Sequence, residues 1–284
     1  MANNIATKGI FIMSKVFNRD ELIKICEKQK VNIPNDVTEI GENAFLGCGS
    51  LREINIPDSV TKIGNSAFYG CRSLKEINIP DGVTRIYGNT FYGCYSLEEI
   101  NIPNGITKIG DYAFWHCESL EKVNIPNSVT EIGDRAFSHC ESLEKVIIPD
   151  SITKIGAYTF QSCHHLKEIN IPDGVTEIGE SAFEDCHSLK KVNIPKSVTK
   201  IGYGAFICCS SLEKINIPDG VTEIDESAFE SCYSLKEINI PDSVTKVNYN
   251  AFMFCKSLKK VIASKKIANQ IKDDLPSDAT ICTR

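Results

Sequence analysis

Ile56-Pro57-Asp58-Ser59-Val60-Thr61-Lys62-Ile63-Gly64-Asn65-Ser66-Ala67-Phe68-Tyr69-Gly70-Cys71-Arg72-Ser73-Leu74-Lys75-Glu76-Ile77-Asn78 is one copy of a unit that recurs ten times without insertion or deletion. Its proline falls at 34, 57, 80, 103, 126, 149, 172, 195, 218 and 241, always 23 residues apart. A fixed period in the twenties is the mark of a solenoid, whose units bury their apolar faces only against their neighbours. Within the unit, Glu53-Ile54-Asn55-Ile56 alternates like a short strand and stops at Pro57, which cannot donate to a ladder. Asp58-Ser59 supplies a turn, and Val60-Thr61-Lys62-Ile63 reads as a second extended piece ended by Gly64. Ser66-Ala67-Phe68-x-x-Cys71 spaces its apolar groups like one helical turn. The expectation is an α/β repeat solenoid with a parallel sheet along one side and short helical turns along the wider, convex side. One such unit buries too little to offset the entropy of ordering its own backbone, so stability belongs to the array.

The two ends depart from the unit. Residues 1–32 read as an N-terminal cap. Within it 10–32 is a degenerate repeat keeping Ile10, Phe17, Leu22, Ile25 and Val31, and Asn18 is placed to cap a helix over 20–25. Residues 33–262 are the ten repeats. Residues 263–284 read as a cap helix and tail, with Ile267, Ile271 and Leu275 on one face and Pro276 ending it.

Thirteen cysteines are present, ten of them at one repeat position from Cys48 to Cys255. Cys26, Cys208 and Cys282 lie outside it. Cysteine is among the most buried residue types, so the column is expected to be reduced core packing, with nearly all thirteen thiols free. The net charge of −6 gives no steering toward nucleic acid. No apolar run reaches the ~18 residues of a membrane span. Met1 to Ile5 lack the basic start and apolar core of a secretory leader, which as written points to the cytoplasm. A leader preceding these residues would point to the cell surface instead.

The Ile-Pro-x-x-Val-Thr-x-Ile-Gly-x-x-Ala-Phe-x-x-Cys-x-x-Leu-x-x-Ile unit resembles the BspA-type, or Treponema-type, leucine-rich repeats. That resemblance implies a right-handed superhelix with a concave parallel sheet. It also implies a protein-interaction scaffold akin to surface adhesins of bacteria and mucosal protists, which bind host proteins including matrix glycoproteins. The competing readings are a purely structural array and a metal- or glycan-binding surface.

In an array of near-identical rungs, specificity has to come from positions that vary. The position after the buried Phe runs Leu46, Tyr69, Tyr92, Trp115, then turns polar at Ser138, Gln161 and Glu184. Tyr95 lies in the same segment. Tyr and Trp are enriched at interface hot spots, so these four aromatics, read as facing solvent, are the first candidate for a partner site. The second is the strand column Asn55, Asn78, Asn101 and Asn124, interrupted by Ile147 and Ile262. There Ile147 is an apolar spot in a polar floor. The five histidines (His116, His139, His164, His165 and His187) fall in the middle, where register brings His116 beside His139 and His164 beside His187. Such pairs arise easily in repeats, and no metal site is assigned. No phosphate loop, His-Glu-x-x-His, Cys-x-x-Cys or Gly-x-Ser-x-Gly is present. The sequence therefore points to no catalytic residues, no cofactor and a monomer with a protein partner.

Overall fold

The computed structural model describes residues 11–12, 15–16 and 26–284. Strands recur at the repeat spacing from Lys30–Asn32 to Lys260–Ala263 and form the concave parallel sheet. They stack in register, so that Val31 faces Ile54, Ile77 faces Ile100 and Val123 faces Val146. A second column of two-residue strands runs from Glu39–Ile40 to Lys246–Val247. The chain is thus a right-handed leucine-rich-repeat solenoid.

The interior is built of identical columns. Ten phenylalanines from Phe45 to Phe252 are fully buried and stack at 5.1 to 5.7 Å between ring centroids. Leu, Ile and Val columns fill the space between them and the strands.

The convex side is not helical as the spacing suggested. Each coil places two residues in the left-handed region, for example Ser66 at φ 54° and Gly70 at φ 70°. Two such residues four apart break a helix and leave a run of turns. Alternate amides then point sideways, from Ser66 to the Gly88 carbonyl at 3.1 Å, from Phe68 to Thr90 at 2.9 Å and from Gly70 to Tyr92 at 2.7 Å. The turn side is therefore hydrogen-bonded from coil to coil much as the strands are. A helix, which spends its amides on itself, could not do this.

Both strand columns lapse at one shared level, and the second column lapses also between Lys62–Ile63 and Arg85–Ile86. No ladder pairing joins Lys145–Ile147 to Glu168–Asn170, nor Glu131–Ile132 to Lys154–Ile155. The turn side stays joined there, with the Phe137 amide donating to Thr159 at 3.0 Å and that of His139 to Gln161 at 2.8 Å.

At the C-terminus, Ser264 caps the helix Lys265–Ile271, which buries Ile267, Ala268 and Ile271. A 3-10 turn over Lys272–Asp274 follows, and Leu275 is partly buried on the core. The tail then adds a strand beyond the expected helix: Thr280–Thr283 pairs in parallel with Lys260–Ala263. Arg284 reaches back to Asn239 Oδ1 at 3.0 Å. At the N-terminus, Phe11–Ile12 and Lys15–Val16 form an antiparallel pair, and Ile12 faces Ile40. Most of the degenerate coil expected over 10–32 lies outside the described residues, and its last segment, Lys30–Asn32, pairs in parallel with Glu53–Asn55. Asn18 and the helix over 20–25 lie outside the described residues, as do Ile10, Phe17, Leu22 and Ile25.

The reduced-ladder expectation needs correction at its first rung. Cys26 and Cys48 form a disulfide, with their Cα atoms 4.3 Å apart. Cys26 is 22 residues from Cys48 rather than 23, so it meets the first rung off register. The remaining ladder is reduced, and each thiol donates to a phenylalanine carbonyl of the preceding coil, as from Cys71 to Phe45 at 3.2 Å. Burial pushes the Cys71 and Cys255 thiols up to about 12 and raises the ladder thiols between them. Thiols held neutral in a core do not react. Unfolded without reductant, the chain is expected to titrate eleven thiols, of which only Cys282 and half-buried Cys208 should react before unfolding. A count of thirteen would remove the Cys26–Cys48 bond. A count below eleven would place disulfides within the ladder.

Candidate functional site

Two regions hold the candidate residues, and they lie on different sides of the coil. Tyr69, Tyr92 and Trp115 project from the turn side, each just after a buried Phe. Their rings stack: Tyr69 on Tyr92 at 4.3 Å and 6°, and Tyr92 on Trp115 at 4.3 Å and 32°. They are half-buried rather than fully exposed. The ring faces are therefore consumed by one another, leaving the edges outward. No open ring face remains between Tyr69 and Trp115 for a sugar to pack on. The edges carry hydroxyl and indole N–H groups, the polar handles that make Tyr and Trp useful at interfaces. Burial and the neighbouring Tyr69 hydroxyl push the Tyr92 phenol up to about 12, so it stays a donor at neutral pH.

The strip continues into the histidines. His116 stands edge-on to Trp115 at 3.9 Å and stacks on His139 at 4.3 Å. Tyr95, 36% exposed, meets His116 edge-on at 6.0 Å and lies under the Arg72 guanidinium at 5.7 Å. The structure thus gathers Tyr69, Tyr92, Trp115 and Tyr95 into one aromatic surface. His116 and His139 occupy left-handed positions where the earlier coils place Gly47, Gly70 and Gly93. A side chain there costs roughly 1–2 kcal/mol, so the imidazole stack is held against a local penalty. Burial, then the neighbouring His116, lowers the His139 pKa. His116 Nδ1 lies 3.0 Å from Glu118.

Trp115 ends the strip because the column becomes a closed polar chain. Buried Ser138 donates to Gln161 Oε1 at 3.2 Å, and Gln161 donates to Glu184 at 3.0 Å. Beside it lies a group that the sequence reading passed over. Arg135 sits between the rings of Tyr112 and Tyr158, at 5.5 and 3.9 Å, and donates to the Tyr112 hydroxyl at 3.1 Å. The signal was available: Tyr112, Arg135 and Tyr158 are 23 residues apart, so they occupy one column. Among the described residues no three metal-ligating side chains converge. His164 and His187 stack at 5.0 Å and face acidic neighbours, without a third ligand.

Ile147 belongs to the concave face and is not brought to the aromatic strip. It is 54% exposed, at the level where the strand ladder lapses. A depression of about 370 Å³ opens there, lined by Lys145, Ile147, Glu168, Asn170, Lys191 and Asn193 among others. What these surfaces present is hydrogen-bonding edges, fixed charges and one apolar spot on a rigid frame. Such an arrangement suits recognition of a surface.

Known proteins place the fold. The BspA type leucine rich repeat region, in 6 copies, matches residues 17–144 and 130–259. A leucine-rich repeat protein of Bacteroides ovatus is 32% identical, with 90% of this chain and 92% of that one covered and a TM-score of 0.46. A leucine rich cell surface protein of Faecalibacterium prausnitzii is also 32% identical, over 82% of this chain and 78% of that one, with a TM-score of 0.53. The pneumococcal vaccine antigen PcpA shares the fold at 21% identity, over 90% of this chain and 79% of that one, with a TM-score of 0.61. No curated protein matches the sequence. No helix among the described residues is long and apolar enough to cross a membrane.

Proposed function

The chain belongs to the BspA-type leucine-rich repeat family, and we propose on that footing that it is a non-catalytic protein-interaction scaffold acting as a surface adhesin for a host or matrix protein. The observation that carries this reading is the aromatic strip of Tyr69, Tyr92 and Trp115. Stacking of the coils does not require it, because the same column is filled by Ser138, Gln161 and Glu184 further along. Large rings confined to a few coils, with polar edges outward and little rotamer freedom to lose, suit a docking surface. A cell-surface setting is supported by the F. prausnitzii neighbour, described as a cell surface protein. It is supported also by the Cys26–Cys48 bond, since disulfides persist in oxidising compartments.

The test replaces Tyr69, Tyr92 and Trp115 together by Ser, the residue that the same column carries at Ser138. Binding is measured by solid-phase titration against glycoproteins of a basement-membrane extract. Wild type is expected to bind saturably. The triple variant should lose at least about 2 kcal/mol, the size of a single hot spot. Each lost stack also removes ~0.5–1.5 kcal/mol of stability, so the variant is compared below its own unfolding transition. Equal affinities would exclude the strip as the docking surface.

A further inference from the structure

The second strand column neutralises most of its charges from coil to coil, although Arg85 lies opposite Lys108. Lys62 pairs with Glu39, Lys108 with Glu131, Lys154 with Glu177 and Lys246 with Glu223, each pair joining adjacent coils. The concave column does this only at its ends, where Lys30 pairs with Glu53 and Lys260 with Glu237. In the middle the pattern is abandoned. Lys122 lies directly opposite Lys145, and Lys191 opposite Lys214, with Glu99, Glu168 and Glu237 on their other sides. Among the described residues none of these four ammonium groups has a carboxylate within ion-pair distance. Like charges facing each other across a ladder are destabilising. Solubility does not require the arrangement, since alternating signs would serve it equally well.

Between the two lysine pairs lies the lapse in the sheet. There Ile147 replaces the asparagine of neighbouring rungs and stands 54% exposed beside the depression of about 370 Å³. Glu168 sits between Lys145 and Lys191 in the same column. From Lys122 to Lys214 is four rungs, or ~19 Å at the usual strand spacing, the length of about six extended residues.

We propose that this stretch of the concave face docks an acidic segment of a partner protein. An apolar side chain of that segment packs on Ile147, and its carboxylates pair with Lys122, Lys145, Lys191 and Lys214. A protein segment fits better than a nucleic acid or another continuous polyanion. Glu168 interrupts the lysines, Ile147 offers an apolar anchor, and Asn124, Asn170 and Asn193 present amides suited to a peptide backbone. The inference rests on the scaffold reading and names the partner chemistry of a second face.

The probe is a fluorescein-labelled peptide of eight residues with a central leucine flanked by aspartate and glutamate, followed by fluorescence anisotropy. Wild type should bind it saturably and more weakly as salt is raised. Lys145→Glu with Lys191→Glu should weaken binding by about tenfold or more. Ile147→Asn, and separately the peptide with glycine for leucine, should each weaken it several-fold. Both variants install residues that the same columns already carry at Glu168 and Asn170, so folding is not at stake. Absent binding, unchanged binding in the double variant, or tighter binding of a heparin fragment than of the peptide would overturn the proposal. Failure here with a positive result for the aromatic strip removes only the concave site. Failure of both removes the scaffold reading itself.

Discussion

Replacing Phe160 by Ala is expected to cost the array about 3–5 kcal/mol, the usual range for emptying a buried aromatic site. Phe160 is fully buried and stacks at 5.7 Å on both Phe137 and Phe183. It also sits one level beside the lapse in both strand columns, where the turn side and the core carry the connection between coils. In a linear array stability is a sum of unit and interface contributions, so weakening one interface can uncouple the two sides. Unfolding in urea should then split. The single tryptophan, Trp115, reports the N-terminal half, while far-UV circular dichroism reports the whole. In wild type the two curves should coincide, and in Phe160→Ala they should separate. Coincident curves with a midpoint shift corresponding to less than about 1 kcal/mol would show that the Phe column is not what couples the coils.

Deleting residues 264–284 should have an effect of similar size by a different route. The deletion removes Ile267 and Ile271, both 1% exposed, from the end of the core. Burial of two such side chains contributes roughly 3–6 kcal/mol. At a few degrees per kcal/mol for a chain of this size, Tm should fall by roughly 10 °C. The deletion also strips Thr280–Thr283 from Lys260–Ala263 and leaves that strand as an open edge. Open edges template pairing with other chains, so light scattering should show association that grows with concentration. A truncated monomer with unchanged Tm would mean that the helix and tail do not close the array.

The fold was legible because the period fixes register, and register decides which side chains meet. Once Pro57, Gly64, Phe68 and Cys71 recur every 23 residues, their columns follow without further information. The convex turns were not legible in that way. Ser66-Ala67-Phe68-x-x-Cys71 places its apolar groups three apart, which suits a helical turn and a chain of left-handed turns equally. The glycines at 70 and 93 hinted at positive φ, but His116 and Asp185 occupy the same position and obscure it. The pairing of Cys26 was not legible because its spacing to Cys48 is one short of the repeat, nor was the strand Thr280–Thr283, because four residues carry no periodicity. At the candidate sites the column positions were readable, and the mutual stacking of Tyr69, Tyr92 and Trp115 was not. Whether neighbouring rings cover each other or splay apart depends on the tilt of the turn that presents them. The bare lysines of the concave face needed the structure for a similar reason: pairing depends on which of two adjacent columns a long side chain reaches.

The claim that this solenoid works through the residues that break its repetition is tested most directly by one titration. Wild type and the Tyr69, Tyr92 and Trp115 serine triple variant are titrated, side by side, on immobilised basement-membrane glycoproteins. The account predicts saturable binding by wild type and at least about thirtyfold weaker binding by the variant, the equivalent of ~2 kcal/mol. Two indistinguishable saturation curves, or no saturable binding by wild type, would contradict it.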